Sequence, residues 1–422
     1  MKKITLMIAS ALTAFGLNAQ VADTVSTGPG YANDVYYSLE NNEVHTVERE
    51  NWDIAFIASS SLGSGIMTNE GAGTDLYFYP NGDTSAWSSV DTSGIASWTK
   101  YYNHDSLWSI GAFAQTSTGY YDPVFNTYDM GWGIYDMSSH VVTGDSLFVL
   151  KLSDNSFKKL WIQRLQSKHY YFKFADLDGS NEVSDTVVKT DYENRNFGYY
   201  SLKTGTELDR EPDNSSWDLL FTKYNTLVQN SEGGLSRYNV TAVLSNDGVS
   251  VNKVSGVATE SADTLSTSFS ESLSEIGGDW KDYIHGSGYV ITDSLTYFVK
   301  AKDGDLWKVI FTGFGGSSTG DYHFTKQKIT TTVGSPELNI SSVGVYPNPA
   351  SDVLNIVFDQ KNADESKIDI YNISGILIHS HTIQGNTGLN TLKLNVDNYA
   401  SGLYMVNVSS QGGSVVTKVL VK

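Results

Sequence analysis

Apolar and polar positions alternate along most of this chain, in short runs cut by glycine, asparagine and aspartate. Tyr36-Tyr37-Ser38-Leu39 and, past a polar turn, Trp52-Asp53-Ile54-Ala55-Phe56 predict two strands, the second with Trp52, Ile54 and Phe56 on one face. The pattern returns at Tyr199-Tyr200-Ser201-Leu202 and Trp217-Asp218-Leu219-Leu220-Phe221. A second echo, 144–165 against 292–314, predicts a hairpin in each copy, followed by a strand with Tyr170 and Phe172, or Tyr322 and Phe324, two apart. Two echoes in the same order predict two tandem modules of one type, 20–191 and 192–332.

Inside the first module, 59–133 is rich in glycine, serine, threonine and aromatics and predicts short strands with long loops. In the second, 237–257 predicts two strands around Asn246-Asp247-Gly248, and the weakly patterned, Ser/Thr-rich 260–278 reads as a surface excursion, with a short helix near Ser270–Ile276 as the alternative. No stretch in either module carries a helical stripe. Residues 333–341 read as a linker, and 342–422 as a small sandwich of strands at 353–358, 368–373, 376–378, 392–396, 403–408 and 415–421. The fold class is all-β: two tandem antiparallel β modules plus a small C-terminal β-sandwich.

Composition narrows the chemistry. The 422 residues include no cysteine, which excludes disulfides and thiolate metal sites. A net charge of −19 repels nucleic acid and anionic lipid, so neither is an expected partner. Residues 1–19 carry Lys2 and Lys3, an apolar run through Phe15 and then Ala19, the layout of a cleaved secretory signal peptide. That run is too short to span a membrane, and no later segment approaches one. Export is expected, and with no cysteine after the leader a lipoprotein anchor is not.

The C-terminal unit resembles a type A sorting domain of the type IX secretion system of Bacteroidetes. The resemblance is carried by Val345-Tyr346-Pro347-Asn348-Pro349-Ala350, Ile370-Tyr371-Asn372-Ile373-Ser374-Gly375, Ser401-Gly402-Leu403-Tyr404 and Lys418-Val419-Leu420-Val421-Lys422. It implies passage through the outer membrane by the type IX machinery, removal of this domain, and attachment at the cell surface or release.

The two modules, at Tyr-Tyr-Ser-Leu, Trp-Asp-x-x-Phe and the later hairpin, resemble the HmuY family of all-β haem-binding proteins. The family pattern Trp-x-x-aromatic-x-His-Gly is met by Trp280-Lys281-Asp282-Tyr283-Ile284-His285-Gly286, so His285 matches an axial ligand of haem b. Met137 stands at that place after Trp132, and a thioether also ligates haem iron. The family's second histidine precedes the tryptophan by about 27 residues. His104 lies 28 before Trp132, whereas 251–278 holds neither His nor Met, so His104 with Met137 is the more complete pair. Met130 or His140 could substitute, and alternation turns His323 away. Lys281 or Lys223 could balance the propionates.

The resemblance thus implies a haemophore-like protein at the surface or secreted, not an enzyme, that takes haem alone or from haem-carrying proteins. The alternative keeps the fold for adhesion or a non-haem ligand, such as a glycan stacked on Tyr101, Tyr102, Tyr120 and Tyr121. Asp176-Leu177-Asp178-Gly179-Ser180-Asn181-Glu182 could hold Ca²⁺, although its spacing is not that of the twelve-residue loop. Gly316-Ser317-Ser318-Thr319-Gly320 has the letters of a nucleophile elbow, but a strand pattern follows where the elbow needs a helix.

Overall fold

The computed structural model describes residues 20–60, 63–118, 120–229, 233–264, 267–329, 339–372, 376–410 and 413–422. The expected signal segment and most of the expected linker lie outside them. The fold is all-β, and the one α-helix among the described residues is the four-residue turn Gly316–Thr319. The alternative of a short helix near 270–276 does not form. Leu273 and Ile276 enter two different apolar clusters, which a single helical stripe would not allow.

Described residues up to Ile329 form one compact unit. It contains two sandwiches with separate cores, one around Val35, Tyr37, Phe221, Trp280 and Phe324, the other around Ile54, Phe56, Trp132, Phe148 and Tyr200. Their strands do not follow the sequence repeat. Asn33–Ser38 pairs with Leu219–Gln229, setting Tyr37 opposite Leu219. Phe197–Ser201 pairs with Ile54–Ile57, setting Tyr199 opposite Ala55. Val21–Ser26 adds to Asp321–Ile329, and its counterpart Val183–Val188 to His169–Asp176.

One sandwich is therefore built from 54–208, and the other from 21–48 together with 219–329. The module boundary expected at 191/192 falls inside the first of them. Each Tyr-Tyr strand forms a hairpin along one edge, with Asn42–Glu48 or Thr206–Leu208. Its other edge would be left with unpaired N–H and C=O groups. The Trp-Asp strand of the opposite copy fills that edge.

Side chains reinforce the exchange. Asp53 Oδ2 accepts from Leu202 N at 2.7 Å, and Asp218 Oδ2 from Leu39 N at 2.8 Å. The aspartate of each Trp-Asp thus satisfies the backbone of the other copy's Tyr-Tyr-Ser-Leu, which explains why the two motifs recur together. The Asn69 amide donates to Trp52 O at 2.9 Å, and the Asn246 amide to Trp217 O at 2.8 Å.

The tryptophans depart from the expected pattern. Ile54 and Phe56 face the core, whereas Trp52 packs on the opposite side with Ala55, Phe197 and Tyr199. Trp217 likewise packs with Tyr36, Leu220 and Leu244. The strands start only at Ile54 and Leu219, so alternation is not carried back through the two aspartates. Trp108 packs against both of these outer faces.

A buried ionic cluster lies at the same junction. The Asp34 carboxylate receives Arg49 Nε at 2.8 Å, Arg210 Nη2 at 2.9 Å and the Thr222 hydroxyl at 2.6 Å. Burial alone would raise the Asp34 carboxyl, but the two guanidiniums outweigh it and hold it below the usual carboxylate range. An Arg-Glu pair precedes each Trp-Asp, Arg49-Glu50 by three residues and Arg210-Glu211 by seven, so one arginine from each copy converges on a single anion.

The C-terminal unit is a sandwich of its own around Leu354, Ile356, Ile368, Ile370, Val406 and Val408. Each of its six expected strands has an observed counterpart. A seventh, Ile340–Tyr346, begins at the end of the expected linker, runs into the sandwich unit and pairs with Val353–Gln360.

Candidate functional site

The two hairpins that carry the expected ligands occupy matching places. Trp280 is buried, stacks on Phe311 at 4.1 Å and donates to Gly277 O at 3.2 Å. From it Lys281–Ile284 and Gly288–Ile291 form a hairpin whose turn carries His285, exposed to solvent. Gly286 and Gly288, both at φ 85°, make that turn. In the other sandwich Trp132 donates to Ser64 O at 3.0 Å, and Gly133–Asp136 pairs with Val141–Gly144. Met137 and His140 sit exposed on the connecting turn, with His140 Nδ1 2.9 Å from the Tyr135 hydroxyl. Met130 packs against the core.

His104 lies elsewhere, at a narrow slot between the sandwiches. Its N–H donates to Ile110 O at 3.1 Å, and its Nδ1 accepts from Ser106 N at 3.1 Å. The slot is walled by Trp52, Met67, Trp108, Phe197, Tyr199 and Leu220 and has a volume of about 80 Å³. A pocket for a molecule of porphyrin size needs at least about 300 Å³. Neither His285 nor Met137 reaches this slot, so the structure does not bring His104 together with Met137, the pair expected in the first module. Among the described residues no cluster of three or more His, Asp or Glu side chains is arranged to hold a metal ion.

Sequence reasoning missed a strongly perturbed acid in the slot, Glu70. Burial pushes its carboxyl up to about 8, against the opposing pull of the Asn103 N–H and Arg237. It is therefore protonated at neutral pH and can donate a hydrogen bond. A signal existed in the echo of Asn69-Glu70-Gly71 with Asn246-Asp247-Gly248.

The 59–133 insertion builds a roomier cleft of about 420 Å³ on the 54–208 sandwich. Phe78, at the end of Asp75–Phe78, Tyr101, in Lys100–Tyr101, and Trp98 line it together with Pro80, Asn81, Ser93, Gly94, Ser97 and Thr99. No lining side chain is charged. Edge-on contacts with Tyr77 and Tyr79, at 6.3 and 5.6 Å between ring centroids, fix the Trp98 indole. Of the other tyrosines expected to stack a sugar, Tyr102 lies under the Arg237 guanidinium at 4.8 Å. Tyr120 and Tyr121 are exposed on or beside a separate hairpin.

The acidic turn at 176–182 is internally occupied. Asp176 receives Lys158 Nζ at 2.6 Å and the Asn181 amide at 2.6 Å, and Asp178 receives the Ser180 hydroxyl at 2.6 Å. Lys281, expected near a propionate, is buried and donates to Thr241 O at 2.7 Å, and burial lowers its ammonium to about 7.

Residues 344–422 match the family described as "Secretion system C-terminal sorting domain". The protein is accordingly secreted or held at the cell surface of a Bacteroidetes bacterium, and its tail engages the type IX machinery. No helix among the described residues is long and apolar enough to cross a membrane. An ulvan lyase of Nonlabens ulvanivorans is 34% identical over 94 residues, which cover 22% of this chain and 16% of that protein. The expectation that this protein is not an enzyme is overturned there, because part of the chain is related to a protein named as a lyase.

Among solved structures, dimeric latent PorU from Porphyromonas gingivalis aligns over 95% of this chain and 34% of its own, at 10% identity and a TM-score of 0.19. The BSP domain of a biofilm-associated protein aligns over 99% and 84%, at 9% identity and a TM-score of 0.18.

Proposed function

We propose that this is an extracellular carbohydrate-binding protein whose site is the aromatic cleft of the 54–208 sandwich. One observation carries the reading: Phe78, Trp98 and Tyr101 line a single open cleft of about 420 Å³ with amide and hydroxyl groups between them and no charged side chain. Sugar rings offer apolar C–H faces to aromatic rings and equatorial hydroxyls to short polar side chains. The volume falls within the range of about 300 to 1,000 Å³ usual for small-ligand clefts. The absence of charge in the lining favours a neutral glycan. Surface export and a relative named for cleaving ulvan fit contact with extracellular polymers.

Haem capture by His285, Met137 and His104 is the rival that the HmuY-like motifs imply. It finds less support, since two of these side chains lie on exposed turns and the third faces a slot of about 80 Å³. Calorimetric titration with neutral β-glucan and xylan oligosaccharides tests the proposal. Saturable binding that Trp98→Ala weakens about tenfold is the expected result. Failure of every neutral oligosaccharide to bind, together with a sharpened Soret band on adding hemin, would turn the assignment to haem.

A further inference from the structure

A second cleft, of about 510 Å³, opens beside Tyr31 and Lys223. Lys223 Nζ lies 6.0 Å from the centre of the Tyr31 ring and forms no salt bridge with a described residue, which is notable in a chain of net charge −19. Arg49 also lines the cleft. Its Nε and Nη2 are engaged by Asp34 and Asn33 O, but its buried Nη1 has no partner among the described residues. Gly71 lets the strand that carries Lys223 pack closely along this wall: a Cβ there would fall 2.4 Å from the Lys223 carbonyl oxygen. Burial lowers the Lys223 ammonium and Arg49 adds to that effect, while Glu50 pulls the other way.

An aromatic path leads to this cleft from the His285 hairpin. Tyr31 lies parallel to Phe314 at 6.0 Å, Phe314 meets Tyr289 at 4.8 Å, and Tyr289 meets Tyr283 at 5.2 Å. Tyr283 is 63% exposed. Tyr31 itself is held at φ 61°, a left-handed backbone unusual for a side chain of this size. Two carboxylates, Glu48 and Glu50, stand at the rim. They are exposed, so water and salt screen them more than the half-buried Lys223.

We infer that this cleft is a subsite for an acidic sugar, its anionic group held by Lys223 and its ring laid on Tyr31. The inference rests on the reading of the protein as glycan-binding but concerns a different cleft. A carboxylate and a sulfate ester present the same chemistry to an ammonium, and the titrations separate them. Wild type, Lys223→Met and Lys223→Arg would each be titrated with oligogalacturonate, a sulfated galactan oligosaccharide and a neutral β-glucan oligosaccharide.

The expected result is binding of at least one acidic ligand that weakens with added salt, falls about tenfold in Lys223→Met and persists in Lys223→Arg. Neutral binding should be the same in all three proteins. Acidic binding unchanged by Lys223→Met, or wild type that binds the neutral ligand and neither acidic one, overturns the subsite and leaves the aromatic cleft standing. Failure to bind any of the three removes both readings.

Discussion

In the 54–208 sandwich, Asn69-Glu70-Gly71 buries its acid in the slot between the halves, with the carboxyl raised to about 8. In the other sandwich Asn246-Asp247-Gly248 makes the same amide bond to its tryptophan carbonyl, yet its acid points into water. The asparagines are held alike because each completes the exchanged-strand junction. The acids differ because the 59–133 insertion places Asn103, His104 and Trp108 around Glu70. Duplication preserved what joins the halves, and the divergent parts are the insertion, its aromatic cleft and the charged cleft at Lys223.

Removing the shared anion should do most damage. Asp34→Ala leaves Arg49 and Arg210 buried without their carboxylate, and a loss of about 3–5 kcal/mol in denaturant unfolding is expected. A loss under about 1 kcal/mol would mean that the cluster does not hold the junction.

Asp53→Ala and Asp218→Ala should each cost about 1–3 kcal/mol, since each leaves a buried backbone N–H unsatisfied. Similar values sharpen the equivalence of the halves, and an effect at only one breaks it.

Acidity probes the buried turn at Glu70. The folded Glu70 carboxyl, near 8, lies above its ordinary 4.5. Between those values the unfolded chain has lost a proton that the fold retains, so stability declines as pH rises from about 4.5 to 8. Glu70→Gln should remove that part of the slope, read as the difference from wild type across the window. Glu211, raised by burial to about 7, leaves a residual slope of the same sign. A slope unchanged by Glu70→Gln would deny that the buried turn retains its proton.

The smallest effect is expected at the hairpin turns. His285→Ala and Met137→Ala should each change stability by less than about 0.5 kcal/mol, because both side chains are exposed. A larger loss in thermal unfolding would reveal packing at one turn that the other lacks.

Much of this architecture was legible from residue order. The hairpins 144–165 and 292–314, the strands of Tyr170 and Tyr322 and the sorting sandwich were readable because local alternation and turn chemistry specify them. The aromatic run places Tyr101 among four candidate tyrosines, and of these it alone lines the cleft of about 420 Å³. The places of Trp98 and Phe78 in that cleft, and the burial of Glu70, are not legible there, because they depend on which loops fold over them.

The chain's pattern by itself determined an all-β protein with a duplicated motif pair and an export tail. Tertiary structure alone decided that each copy closes the other's sheet, that Trp52 and Trp217 turn from the cores to the junction, and that His285, Met137 and His104 do not converge. Alternation records which face of a strand is apolar. It carries no information about which distant strand will satisfy the open edge, and that pairing fixes which side chains meet.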